Sequence, residues 1–332
     1  GDEAEGEGVQ APETPQEAAE RFLSLFLVLC TQSQHLLQEL FAGFARAGEP
    51  QRAVMRKYAP RVAQALGMES PALLSLVRNP PKGGELLLLL MLHDLVKAAC
   101  PAKPLVAAVR DLYRRTSDAR FLATVLPALP KAEVLHSLPA LVGLPQGQMR
   151  AALLHAMQGK GPGGGAVLEP QEVLVALHTI EPKKDGVSLK AVIAACGECF
   201  QQRGLFTPEV LALTLNQLVE KTPLPLLLLR TMIQTVAAAP GLVESGLLVG
   251  VLGKLVGKKV WLQKQLWDGF LRVIKQLAPR SYKTCLQLPP AQLEELLKSL
   301  PEFRAPLAEL AGGGAAKVSR DHLVVLGVAV GV

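Results

Sequence analysis

The sequence predicts an all-α protein built of stacked helical hairpins, and three observations carry that expectation. Of 332 residues, 49% are apolar but only 4% aromatic. Leucine, alanine and valine dominate, and strand-type runs of Thr, Tyr, Phe and Ile are scarce. Proline repeatedly follows Ser or Thr at the head of an apolar run, where its missing N–H costs nothing and the hydroxyl can cap a free amide. A Glu-Val-Leu triplet recurs behind prolines at a near-constant spacing.

The helix starts can be placed in order. Thr14-Pro15, Ser70-Pro71, Thr207-Pro208 and Thr222-Pro223 each precede an apolar run, and Thr14 with Glu17 fits a capping box. Stops are expected at Gly48, Gly67 and Gly204, where a left-handed residue ends a helix at little cost. The segment VSLKAVIAACGECFQQ reads as one helix opened by Ser188. Loops are expected at 78–85 (RNPPKGGE), 158–169 and 181–186 (EPKKDG).

The triplets begin at Glu133, Glu172 and Glu209, so they lie 39 and then 37 residues apart, each just after Pro130, Pro170 or Pro208. LPPAQLEELLKSLP at 288–301 aligns with LPALPKAEVLHSLP at 126–139, matching Pro127 to Pro289 and Pro139 to Pro301. A period near forty with two helices per unit is the signature of a HEAT/armadillo-like α-solenoid, in which each hairpin buries its apolar face only against its neighbours. The expected organisation is a disordered acidic lead-in at 1–13, a helical-repeat domain at 14–311 containing a flexible inter-repeat loop at 158–169, and a poorly defined tail at 312–332. HLVVLGVAVGV in that tail lacks helical periodicity, which leaves a frayed end or a strand open.

Net charge is +6, yet the first twenty residues hold seven acids and no base, so the remainder carries +13. A basic body fits nucleic acid, an acidic protein partner, or simple solubility. The five cysteines form no framework and favour a reducing compartment, cytosol or nucleus. FLSLFLVLC at 22–30 follows acids, unlike a secretory leader, and LLLLLML at 86–92 is far shorter than the roughly 20 residues a membrane span needs. No membrane span is expected.

Motifs that could carry chemistry are incomplete. Cys196 and Cys199 in CGEC have no second ligand pair for zinc and no preceding strand for a redox site, so two core or helix-face residues are the expectation. His93-Asp94 lacks further ligands nearby in the chain. Gly159-Lys160 and GKLVGKKV at 253–260 lack the Ser or Thr of a phosphate loop. No catalytic, metal or cofactor residue is expected. The segment 254–283 has eight basic residues against one acid, Asp268, with Trp261, Trp267, Phe270 and Tyr282 interleaved. It reads either as an amphipathic helix with its tryptophans in the core, as a surface for an acidic partner, or as an RNA-binding face. Lys254, Lys258, Lys259, Arg272 and Lys275 are the candidate partner-binding residues.

Four stretches, ARFLATVLPALPKAEVLHSLPALVGLP, PQEVLVALHTIEP, FTPEVLALTLNQLVEKTPLPLLLLRTMIQTV and LQLPPAQLEELLKSLPEFRAPL, stand in the order in which similar ones occur in the symplekin C-terminal family. Residues 119–310 resemble that domain. The resemblance implies an α-helical HEAT-like scaffold without catalytic residues, acting in the nucleus in pre-mRNA 3′-end cleavage and polyadenylation. It implies docking of the nuclease subunits of the cleavage and polyadenylation specificity factor, a metallo-β-lactamase-type endonuclease and its inactive paralogue, together with other 3′-end processing factors. Zinc and cleavage chemistry would then belong to the partner. An RNA-binding helical-repeat module using 254–283 is the alternative, with direct RNA contact not favoured.

Overall fold

A computed structural model describes residues 15–97, 99–313 and 318–328. These form 21 α-helices and three short 3-10 turns, with no strand among the described residues. The protein is all-α. The lead-in at 1–13 and the cap Thr14 lie outside the described residues.

The chain divides into two compact units. One comprises residues up to Ser137 together with Ala151–Val167, the other Leu138–Arg150 and Leu168 onward. The first holds α1 (Pro15–Leu29), α2 (Gln34–Arg46), α3 (Glu49–Leu66), α4 (Pro71–Arg78), α5 (Glu85–Lys97), α6 (Lys103–Thr116) and α7 (Ala119–Val125). Here α3 packs on α1 and α5, α4 on α6, and α7 on both α5 and α6. The residue pattern explains why these helices form and meet. In α6, Leu105, Ala108, Val109 and Leu112 recur at helical spacing and are at most 1% exposed, whereas Arg114 and Arg115 complement the negative C-terminal end. Each fully buried leucine or valine contributes roughly 1.5–3 kcal/mol.

The division between units falls inside α8 (Lys131–Val142) and α9 (Gln146–Gln158). The second unit continues with α10 (Pro170–Thr179), α11 (Pro182–Asp185), α12 (Leu189–Gln201), α13 (Pro208–Glu220), α14 (Leu228–Ala238) and α15 (Gly241–Glu244). It ends with α16 (Leu247–Gly257), α17 (Lys264–Gln276), α18 (Tyr282–Cys285), α19 (Pro290–Ser299), α20 (Arg304–Gly312) and α21 (Arg320–Leu326). In this unit α10 packs on α12 and α13, α13 on α14 and α16, and α14 on α17. Two of the triplet-bearing helices, α10 and α13, thus lie side by side, with Val173, Leu174 and Leu211 in the core. Gly269 admits close approach of α17 to α14, since a Cβ there would stand 2.9 Å from Leu229 Cβ.

The local signals divide into those that hold and those that neighbouring residues override. Pro15, Pro71 and Pro208 open helices, Thr207 Oγ1 accepts from the Val210 amide, and Ser188 Oγ accepts from the Ala191 amide at 3.1 Å. Thr222-Pro223 opens none: the peptide is cis, and α14 starts only at Leu228. Pro225 is the reason, because it keeps Leu224 out of the helical region. Among the expected stops, Gly67 has positive φ (79°), whereas Gly48 is extended and caps the start of α3. The aligned segments 126–139 and 288–301 also differ, for α8 runs through Pro139 while α19 ends before Pro301.

Residues Arg320–Leu326 of the tail form α21, which packs on α19 and α20. His322 Nε2 lies 2.8 Å from the Leu288 carbonyl, and Arg304 donates to the Val325 carbonyl at 2.7 Å. Two turns burying a single leucine, Leu326, are too short to show periodicity in the sequence.

Candidate docking surface

The motifs that invited a chemical reading have structural explanations. Cys196 and Cys199 are 2% and 1% exposed on the core face of α12. Burial pushes the Cys196 thiol up to about 12 and the Cys199 thiol well above its ordinary value, so neither offers the thiolate that metals and nucleophilic chemistry require. Between them Glu198 is buried, with one oxygen accepting from Gln146 Nε2 at 2.6 Å and the other 3.8 Å from Arg150 Nε. Asp94 accepts from Gln64 of α3 and pairs with Lys97 at 3.6 Å, so this carboxylate belongs to a surface network of α3 and α5. No group of three or more His, Cys, Asp or Glu that could hold a metal exists among the described residues. No helix among them is long and apolar enough to cross a membrane.

Gly159, at the head of the glycine loop, is a packing residue. A Cβ there would overlap Pro127 Cγ and stand 2.5 Å from the His155 carbonyl oxygen. The loop that follows is pinned by hydrogen bonds from Gly161 to Gly165 and from Gly164 to Gly161, each 2.9 Å. Gly159→Ala should cost about 1–3 kcal/mol of the first unit's stability by overpacking. Gly163→Ala, which meets nothing within 4 Å, should cost far less. Thermal denaturation of the two variants side by side checks the difference.

The basic segment 254–283 departs from the single-helix expectation. Lys259 takes a left-handed conformation (φ 55°), Val260–Leu262 form a 3-10 turn, and α17 begins only at Lys264. Trp267 and Phe270 are buried at 3% and 0% exposure and stack on each other with ring centroids 5.4 Å apart. Tyr282 meets Phe303 edge-on. Trp261, expected in the core with Trp267, is instead only half-buried, and its neighbour Leu262 is 73% exposed, because the 3-10 turn directs this stretch outward.

The five candidate residues separate into two groups. Lys254, Lys258 and Lys259 come together along the edge where α16 meets α13. Lys254 Nζ bonds Glu220 at 2.8 Å, holding that carboxyl below its usual range, and Lys258 Nζ bonds the Lys221 carbonyl at 3.1 Å. Arg272 and Lys275 lie on the exposed side of α17, where Lys275 pairs with Glu302 at 2.9 Å.

The first group borders two adjoining hollows in the second unit that share Lys221, with volumes of about 490 and 230 Å³. One wall is the α13 face carrying Leu213, Asn216, Gln217 and Glu220. These residues were not among the sequence candidates. Their signal was present as an i, i+3, i+4, i+7 stripe, opposite the buried Leu211, Leu215 and Leu218. Such a surface offers a partner lysine charge, side-chain carboxamides and exposed leucine. On the first unit, α1 exposes Phe22, Leu25, Val28 and Leu29, an apolar stripe with the Arg21 guanidinium 5.5 Å from the Phe22 ring centre.

No solved structure matches this chain. Residues 118–300, from the N-cap of α7 through α19, match the family model described as symplekin tight junction protein C terminal. The match spans more than half of the 332 residues, and the chain belongs to the symplekin C-terminal family.

Proposed function

We propose that this chain is a non-catalytic scaffold of pre-mRNA 3′-end cleavage and polyadenylation that docks the C-terminal domains of the metallo-β-lactamase-type endonuclease and of its inactive paralogue. Family membership is the observation that carries the reading, since the symplekin C-terminal family is associated with scaffolding in 3′-end processing. Stacking of these helices into an α-solenoid would offer long faces for protein partners. The nucleus is the compartment this role requires. Lys254, Lys258, Lys259, Arg272 and Lys275 remain the proposed partner-binding residues, the first three acting together.

Pull-down of the tagged chain from nuclear extract, with partners identified by mass, tests the reading. The expected result is co-purification of both nuclease subunits, and a soluble chain that retains neither would overturn it. The second reading, direct RNA binding, draws on the basic excess of 254–283. Burial of Trp267 and Phe270 removes two of the four stacking platforms from that segment and leaves Trp261 and Tyr282 half-buried, so RNA contact there would rest largely on charge and fade steeply with salt.

A further inference from the structure

The two hollows along α13 form one groove with a mixed chemistry. Lys221 borders both, Lys254 stands beside the larger, and Lys258 and Lys259 close the smaller, against the single acid Glu220. The groove therefore carries a net positive charge of three. Two leucines are exposed along it, Leu213 at 52% and Leu262 at 73%. Between the charged and apolar parts, the exposed Asn216 and Gln217 carboxamides each offer both donors and an acceptor.

We infer that this groove takes an extended acidic segment of a partner protein that carries an aliphatic anchor side chain. Charge complementarity identifies the occupant: carboxylates would meet the cations left in excess once Glu220 has offset one of the four lysines, Lys221 and Lys259 foremost. An aliphatic side chain would cover Leu213 or Leu262, removing apolar surface from water. The carboxamides match the alternating N–H and C=O of an extended backbone, which a helix would keep to itself. A nucleic acid is the poorer fit, because no aromatic residue lines either hollow and bases would find no stacking partner. Glu220 already occupies Lys254 as an acidic occupant would, so it acts as a built-in competitor for one cation.

The inference rests on the docking reading above, but its test is separate. Fluorescence anisotropy of the full chain with a labelled aspartate-rich peptide bearing one leucine should show saturable binding that weakens with salt. Substituting Lys221→Glu together with Lys259→Glu, both exposed, should weaken it about tenfold, and Leu262→Ser should weaken it several-fold. Glu220→Gln should tighten it, because Lys254 is released, and by more than Glu244→Gln, which removes an equal charge from an exposed position outside both hollows. Affinity indifferent to all three changes, or an oligouridylate that binds more tightly than the peptide at the same groove, would overturn the inference. Co-purification of the nuclease pair with the lysine variant would leave the docking reading standing while removing this groove from it.

Discussion

Phe270→Ala is expected to lower the stability of the second unit by about 3–5 kcal/mol, as for other fully buried phenylalanines. The ring is inaccessible to solvent and lies nearly parallel to Trp267, at an interplanar angle of 17°. Its helix, α17, packs on α14, where Gly269 permits the close approach. Trp267 in turn donates its indole N–H to Glu295 of α19 at 2.9 Å, so loss of the stacked partner loosens a side chain that ties two helices. Urea unfolding followed by tryptophan fluorescence measures the cost. A loss under about 1 kcal/mol would mean that this aromatic pair is not core, since truncating a buried large residue does not come so cheaply.

His178→Ala should cost about 2–4 kcal/mol near neutral pH and also change how stability depends on pH. The imidazole is buried on α10, with Nδ1 2.7 Å from the Leu174 carbonyl and Nε2 2.8 Å from Thr231 Oγ1 on α14. That arrangement suits the neutral ring, with Nδ1–H donating and Nε2 accepting from the hydroxyl. Burial holds its pKa below the ordinary 6.5. The folded protein therefore stays unprotonated at this site where the unfolded chain takes up a proton. Its contribution is complete above the unfolded value of 6.5 and is lost as pH falls from there toward the lowered folded value. Melting temperatures across that window should fall with acid more steeply for the wild type than for His178→Ala. Parallel curves would show that the ring is not held neutral.

Much of the fold was legible because its signals are local. Pro170 and Pro208 open helices, apolar residues at helical spacing mark the inner faces, and spaced triplets put α10 beside α13. Signals failed where a neighbouring residue opposes the pattern or where the packing partners lie far along the chain. Pro225 cancels the start expected at Thr222-Pro223, and a left-handed Lys259 breaks what periodicity joins from Lys254 to Lys283. The buried Glu198 went unnoticed inside a motif read for its cysteines, because its partners Gln146 and Arg150 lie about fifty residues earlier. The groove was half visible: its lysines stand out in the sequence, but Asn216, Gln217 and Leu213 join them only once α13 packs on α16.

The central claim is that this chain holds proteins and leaves the chemistry to them. Mixing the purified chain with the purified C-terminal domains of the endonuclease and its inactive paralogue, followed by size-exclusion chromatography at about micromolar concentration, tests it most directly. Co-elution of all three in a single earlier peak is the predicted result, and separate elution of the chain from both domains would contradict it.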